Sequence, residues 1–150
     1  LCVGGWGGGC VCEGVVFGGK GAGGLSEVSR IRGSSRTRKC GSTFGTGLPV
    51  AGGAELPETL QDLARLLPAT AGVRRWGAAS LDMAYVATGR YEGFWERRLK
   101  SWDLAAGIIL VQEAGGLVQG INPEDNIVET GDVVCANEPI FETFAKVIRG

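Results

Sequence analysis

Residues 104–111, LAAGIILV, carry no charged or hydrogen-bonding side chain, and the run continues as QEAGG to residue 116. A helix over this stretch is apolar on nearly every face as far as Gln112, so it has to be buried within the molecule. Gly115 and Gly116 end it. The segments around it alternate in type. Pro57 and the helical spacing of Leu60, Leu63, Leu66 and Leu67 predict an amphipathic surface helix over 57–67. Residues 77–88, with Leu81, Met83, Tyr85 and Val86, predict a second, more deeply buried helix that stops at Gly89 in a left-handed conformation. Residues 91–95, 117–119 and 133–136 read as strands, and Pro139 opens a last helix with Phe141, Phe144, Ala145 and Ile148 inside. Trp76, Trp95 and Trp102 are read as packing between helix and strand. This alternation predicts a layered α/β domain.

The chain changes character near residue 54. Of 27 glycines, 17 lie in residues 1–53. Residues 1–53 are therefore expected to form short strands joined by mobile turns, and residues 54–150 the main α/β part. Val15, Val16 and Phe17 are the one clear strand candidate of the first part, closed by Gly18 and Gly19. Residues 28–39, VSRIRGSSRTRK, read as a basic, solvated and mobile surface loop.

Composition excludes several chemistries. There is no histidine, which removes Ser/His/Asp and Cys/His catalysis and any His-ligated zinc. Five cysteines, at 2, 10, 12, 40 and 135, fit neither a disulfide framework nor the paired spacing of a zinc ribbon. Sixteen acidic and 15 basic residues give a net charge of −1, so a nucleic-acid partner is not expected. No apolar run approaches the roughly 18–20 residues of a membrane span, and no signal peptide opens the sequence. A cytoplasmic protein with no membrane partner is the expectation.

Asp103 stands at or just before the first turn of the buried helix, and two readings are open for it. It can cap free backbone N–H groups, or it can face a cleft together with Glu96, seven residues earlier at a strand end. Hard divalent cations such as Mg²⁺ take carboxylate oxygens of that kind.

The segment 76–116, with its core Trp-Asp-x-Ala-Ala-Gly followed by Glu-Ala-Gly-Gly, closely resembles the second signature region of the inositol monophosphatase family. Weaker likeness extends to the C-terminus, and upstream to GTGLPV at 45–50 and GVVFGGKGAGG at 14–24. The resemblance implies the αβαβα sandwich of the inositol monophosphatase and fructose-1,6-bisphosphatase type, here mainly its C-terminal part. It implies a Mg²⁺-dependent phosphomonoesterase, with a small phosphorylated polyol such as myo-inositol 1-phosphate as substrate and a homodimer as the assembly. Asp103 inherits the role of metal ligand, Glu96 that of contacting a substrate hydroxyl, and Gly77, Ala78 and Ala79 that of the turn lying against the substrate.

This sequence departs from the family pattern at Ala78, at Ser101, which stands where bacterial members usually have Pro, and upstream. Ala78 stands where a hydroxyl residue is usual. The family's other metal ligands come from a Glu-Glu pair and an Asp-Pro-x-Asp-Gly-Thr motif, and neither occurs in this sequence. With GVVF aligned as above, those motifs are expected to precede residue 1, and the chain is expected to correspond to the C-terminal half of the family protein. A catalytically silent, truncated member that binds or interacts is the alternative, as is a sister sugar or nucleotide phosphatase.

Overall fold

The computed structural model describes residues 4–8, 15–21, 23–26, 29–49 and 53–150. Cys2, Cys10 and Cys12 lie outside them, while Cys40 and Cys135 are free thiols, one exposed and one buried. No helix of the described residues is long and apolar enough to cross a membrane.

The glycine-rich part builds a four-stranded antiparallel sheet in chain order: β1 (Gly4–Gly8), β2 (Val15–Gly19), β3 (Gly23–Ser26) and β4 (Ser29–Arg30). Gly18 and Gly19 do not close β2 as the sequence predicts. They continue it, pairing with Gly5 and Gly4 on one side and Gly24 and Gly23 on the other. Space is the reason: a β-carbon on Gly18 would lie 3.3 Å from Leu110 Cδ2.

The second sheet is mixed and has the order β6-β5-β7-β9-β8. Its strands are β5 (Thr43–Thr46), β6 (Gly72–Arg74), β7 (Gly93–Glu96), β8 (Gly116–Gly120) and β9 (Val133–Asn137). β5 runs parallel to β6 and β7, and β9 antiparallel to β7 and β8. The helices are α1 (Leu56–Leu66), α2 (Ala79–Ala87), α3 (Ser101–Glu113), the short α4 (Ile127–Thr130) and α5 (Glu138–Arg149). α2 and α3 pack on each other between the two sheets, and α1 packs on α5 on the far face of the mixed sheet. The layers therefore run sheet, helices, sheet, helices, which are four successive layers of an αβαβα sandwich.

Strand period explains how the mixed sheet serves two cores. Phe94, Val133 and Cys135 pack towards α2 and α3, whereas their neighbours Trp95, Val134 and Ala136 pack towards α5 with Phe141 and Phe144. A sheet covered on both faces reads as a continuous apolar run, which is how β9 appears in the sequence. Gly107 brings α2 and α3 together, because a β-carbon there would lie 2.7 Å from Met83 Cβ. Gly89 and Gly115 follow α2 and α3 with φ of 72° and 82°, the left-handed stops expected of them.

Three expectations are corrected. The inner face of α1 is Thr59, Asp62 and Leu66, with Leu63 partly buried, while Leu60 and Leu67 point outward. Arg97 and Trp95 bond to Asp62 and draw this polar residue inside. Trp76 and Trp102 are 49% and 75% exposed; of the three tryptophans predicted to be packed, Trp95 alone is buried. Trp102 sits on the exposed first turn of α3, and the Trp76 indole leaves the core to donate to the Tyr91 hydroxyl at 2.6 Å. The basic loop keeps its arginines in solvent but is tied down. Ile31 is buried, and Asn137 Nδ2 donates to the carbonyls of Ser34 and Arg36 at 2.5 and 2.9 Å.

Glu113, from the Glu-Ala-Gly-Gly signature, clamps the two layers. Its carboxylate accepts the amides of Gly21 and Gly23 at 2.6 and 2.7 Å, tying the β2–β3 turn to the end of α3. Those bonds hold its pKa below the ordinary value of 4.5, with Arg30 adding to the effect. A depressed carboxylate pKa stabilises the fold above the unfolded value, and that contribution disappears as pH falls through the folded value. Amide exchange at Gly21 and Gly23 in acid, corrected for intrinsic rates, should lose its protection below the ordinary glutamate range, and Glu113→Gln should lose it already at neutral pH. Protection that is indifferent to both would remove the clamp. Gly107→Val should lower stability by about 1–3 kcal/mol through overpacking against Met83, read as a lower urea midpoint, whereas an unchanged midpoint would contradict the close helix contact.

Candidate active site

A cleft of ≈ 200 Å³ opens where β5 ends, α1 begins and β7 passes into α3. Glu96 and Asp103 both line it. Glu96 is the last residue of β7, and Asp103 is the third residue of α3. The expectation that a strand-end and a helix-start carboxylate face one cleft is met by the geometry.

Both readings of Asp103 hold together. Its Oδ2 accepts the Lys100 amide at 3.0 Å, closing the entry to α3, and Oδ1 has no hydrogen bond among the described residues. One oxygen caps the entry to α3 while the residue lines the cleft. Glu96 is pressed against Gly47, where a β-carbon would overlap its carboxylate. Burial pushes the Glu96 pKa up to about 7, the Asp103 carboxylate adds to the rise, and Arg75 opposes it.

Asp82 is the residue that sequence reasoning missed. It lies on α2, is 1% exposed, and neither carboxyl oxygen has a hydrogen-bond partner among the described residues. Burial pushes its pKa up to about 7, with the charge of Glu96 adding and Arg75 opposing. The signal was present in the sequence, since Asp82 is the one acid in the otherwise apolar stretch LDMAYVA. Gly77, Ala78 and Ala79 form the entry to α2, with the first two exposed and Ala79 buried, and none of them lines the cleft.

Carboxylate oxygens are the donors a hard cation such as Mg²⁺ selects. The number of donors falls short, because no group of three or more His, Cys, Asp or Glu side chains among the described residues could hold a metal. Within the cleft itself, Glu96, Asp103 and Glu55 supply the carboxylates.

The model of the inositol monophosphatase family matches residues 2–149. The chain belongs to the inositol monophosphatase family. Among the relatives of this family member, inositol-1-monophosphatase of Rhizobium meliloti is 40% identical over 130 residues, covering 87% of this chain and 49% of that protein. Nus factor SuhB of Pseudomonas aeruginosa is 42% identical over 132 residues, covering 87% and 49%. The crystal structure of extragenic suppressor protein suhB from Bartonella henselae superposes with a TM-score of 0.87 at 34% identity, covering 91% of this chain and 52% of that one. The chain spans about half the length of the relatives it matches.

For the inositol monophosphatase fold the buried acid has a measurable consequence. A carboxyl whose folded pKa lies above its unfolded value of 3.8 binds more protons when folded, so stability falls as pH rises from there to about 7. Asp82→Asn should flatten that slope, and urea midpoints taken at several pH values test it. Parallel pH profiles for the two proteins would show that Asp82 ionises freely.

Proposed function

We propose that this chain supplies the substrate-side wall and one metal ligand of a Mg²⁺-dependent phosphomonoesterase whose substrate is a phosphorylated polyol, myo-inositol 1-phosphate first. The observation that supports the reading best is the shared cleft of Glu96 and Asp103. Asp103 would hold Mg²⁺ through the oxygen that does not cap α3. When bound, Mg²⁺ supplies an activated water and neutralises phosphate charge, which needs no histidine.

Glu96 gives the polyol a hydrogen-bond partner. With a pKa near 7 it is shared between the acid, which donates, and the carboxylate, which accepts, so either end of a hydroxyl finds a match. Gly77, Ala78 and Ala79 would form the outer rim beside the substrate, where Ala78 lacks the side-chain hydroxyl usual in the family, a neutral bond of roughly 0.5–1.5 kcal/mol. The polyol binds beside Arg98, which also lines the cleft and suits an anionic substrate. Homodimer assembly, by family resemblance, and a cytoplasmic location complete the proposal.

A second reading, a family member that binds without hydrolysing, is favoured by the incomplete donor set. The relative named as a Nus factor gives that reading a class. Phosphate release from inositol 1-phosphate, with and without Mg²⁺, separates the two. With the family's upstream Glu-Glu and Asp-Pro-x-Asp-Gly-Thr motifs joined to this chain, the enzyme reading predicts Mg²⁺-dependent release that Asp103→Asn abolishes while the fold persists, since Asn keeps the cap and weakens the ligand. Glu96→Gln should raise KM more than it lowers kcat. Absence of release even with those motifs joined would favour the non-hydrolysing reading.

A further inference from the structure

Asp62 is a fully buried carboxylate on the inner face of α1, outside the cleft. A buried charge persists only when it is paired and hydrogen-bonded, and Asp62 has three donors. Arg97 reaches it with both terminal nitrogens, Nη1 to Oδ2 and Nη2 to Oδ1. Arg65 Nη2 donates to Oδ1 at 2.7 Å, and the Trp95 indole donates to Oδ2 at 3.1 Å.

Two of those donors, Trp95 and Arg97, flank Glu96 in the chain. Successive side chains of an extended strand point to opposite faces, so holding both neighbours on one side turns the residue between them to the other. Asp62 therefore sets the direction in which Glu96 leaves the end of β7.

The grip continues residue by residue towards Asp103. The Arg98 amide donates to Asp132 Oδ1 at 2.9 Å, and its guanidinium to Glu55 at 3.0 Å. Arg98 is the one non-glycine residue with positive φ, 56°, among those described, which bends the connection back towards α3. The Leu99 amide then donates to the Gly131 carbonyl at 3.0 Å, and the Lys100 amide to Asp103 itself. The two cleft carboxylates are the ends of one clamped connection, and Asp62 anchors its first residue.

We propose that Asp62 is a positioning residue of this cleft, which through the Arg97 fork and the Trp95 indole fixes the connection between Glu96 and Asp103 and hence their mutual placement. The proposal rests on the phosphomonoesterase reading for its consequence in catalysis, and its structural content is testable without it. Arginine is required for the fork, since lysine offers a point charge in place of two parallel donors.

The test combines hydrogen exchange with kinetics on the chain and three variants, Arg97→Met, Arg97→Lys and Asp62→Asn. Arg97→Met should speed exchange of the Leu99, Lys100 and Asp103 amides by at least about tenfold, leaving Val111 and Cys135, in the cores of α3 and β9, unchanged. Arg97→Lys should recover part of the protection, and Arg97→Met with Asp62→Asn together should do little more than either alone, as one shared interaction demands. With the upstream acidic motifs joined and Mg²⁺ present, kcat/KM should fall about 10–100-fold in Arg97→Met, the usual effect of losing a group that orients a ligand, with kcat and KM both moved because both carboxylates shift. Unchanged exchange at 99–103, acceleration spread evenly over the whole chain, or an additive double variant would overturn the positioning role. A chain that hydrolyses nothing in Mg²⁺ even with the upstream acidic motifs joined to it, yet shows the local exchange pattern, would sink the phosphomonoesterase reading and leave the anchoring in place.

Discussion

A helix without a polar face has to be covered all round, and α3 imposes that requirement on everything near it. The glycine-rich sheet closes one side, the mixed sheet the other, and α2 lies alongside through Gly107. Once α3 is enclosed, its N-terminus emerges at the strand-end edge of the mixed sheet, beside the end of its central strand β7. The cleft is what remains at that edge, with Asp103 on the first turn of the helix and Glu96 on the last residue of the strand. Burial of the helix and placement of the carboxylates are thus one constraint seen at two scales.

Electrostatics at the cleft follow from the same enclosure. The charge of Glu96 adds to the rise at Asp82 and that of Asp103 to the rise at Glu96, and Arg75 offsets part of both. Buried acids raised to about 7 are expensive to ionise, and such groups gather at functional sites more often than in ordinary cores. Asp62 shows the contrasting solution. It is equally buried, but two guanidinium groups and an indole satisfy it, and it anchors the chain where Asp82 has no partner among the described residues.

Much of this was legible in the sequence because it depends on local pattern. The four longest helices are marked by their proline starts, glycine stops or apolar content, and the Trp-Asp core places Asp103 at a helix start. β5 and β6 escaped notice because four- and three-residue strands containing glycine carry too little alternation to read. The direction of α1 was misjudged for a different reason. Leucine spacing defines a stripe, but a buried carboxylate with partners some 35 residues away decides which side of the stripe turns inward, and that pairing is tertiary. Asp82 was visible only as an acid in an apolar run, and nothing local reveals that Glu96 lies near enough to raise its pKa.

The central claim is that Asp103 offers an oxygen to a cation in the cleft that it shares with Glu96. Titration with Mn²⁺ as a paramagnetic substitute for Mg²⁺, followed by nuclear magnetic resonance of the backbone amides, tests it most directly. The account predicts selective broadening at Gly47, Glu96 and Asp103, weakened in Asp103→Asn and reversed by excess Mg²⁺. Broadening spread over the acidic surface, or centred away from these three residues and indifferent to Asp103→Asn, would contradict it.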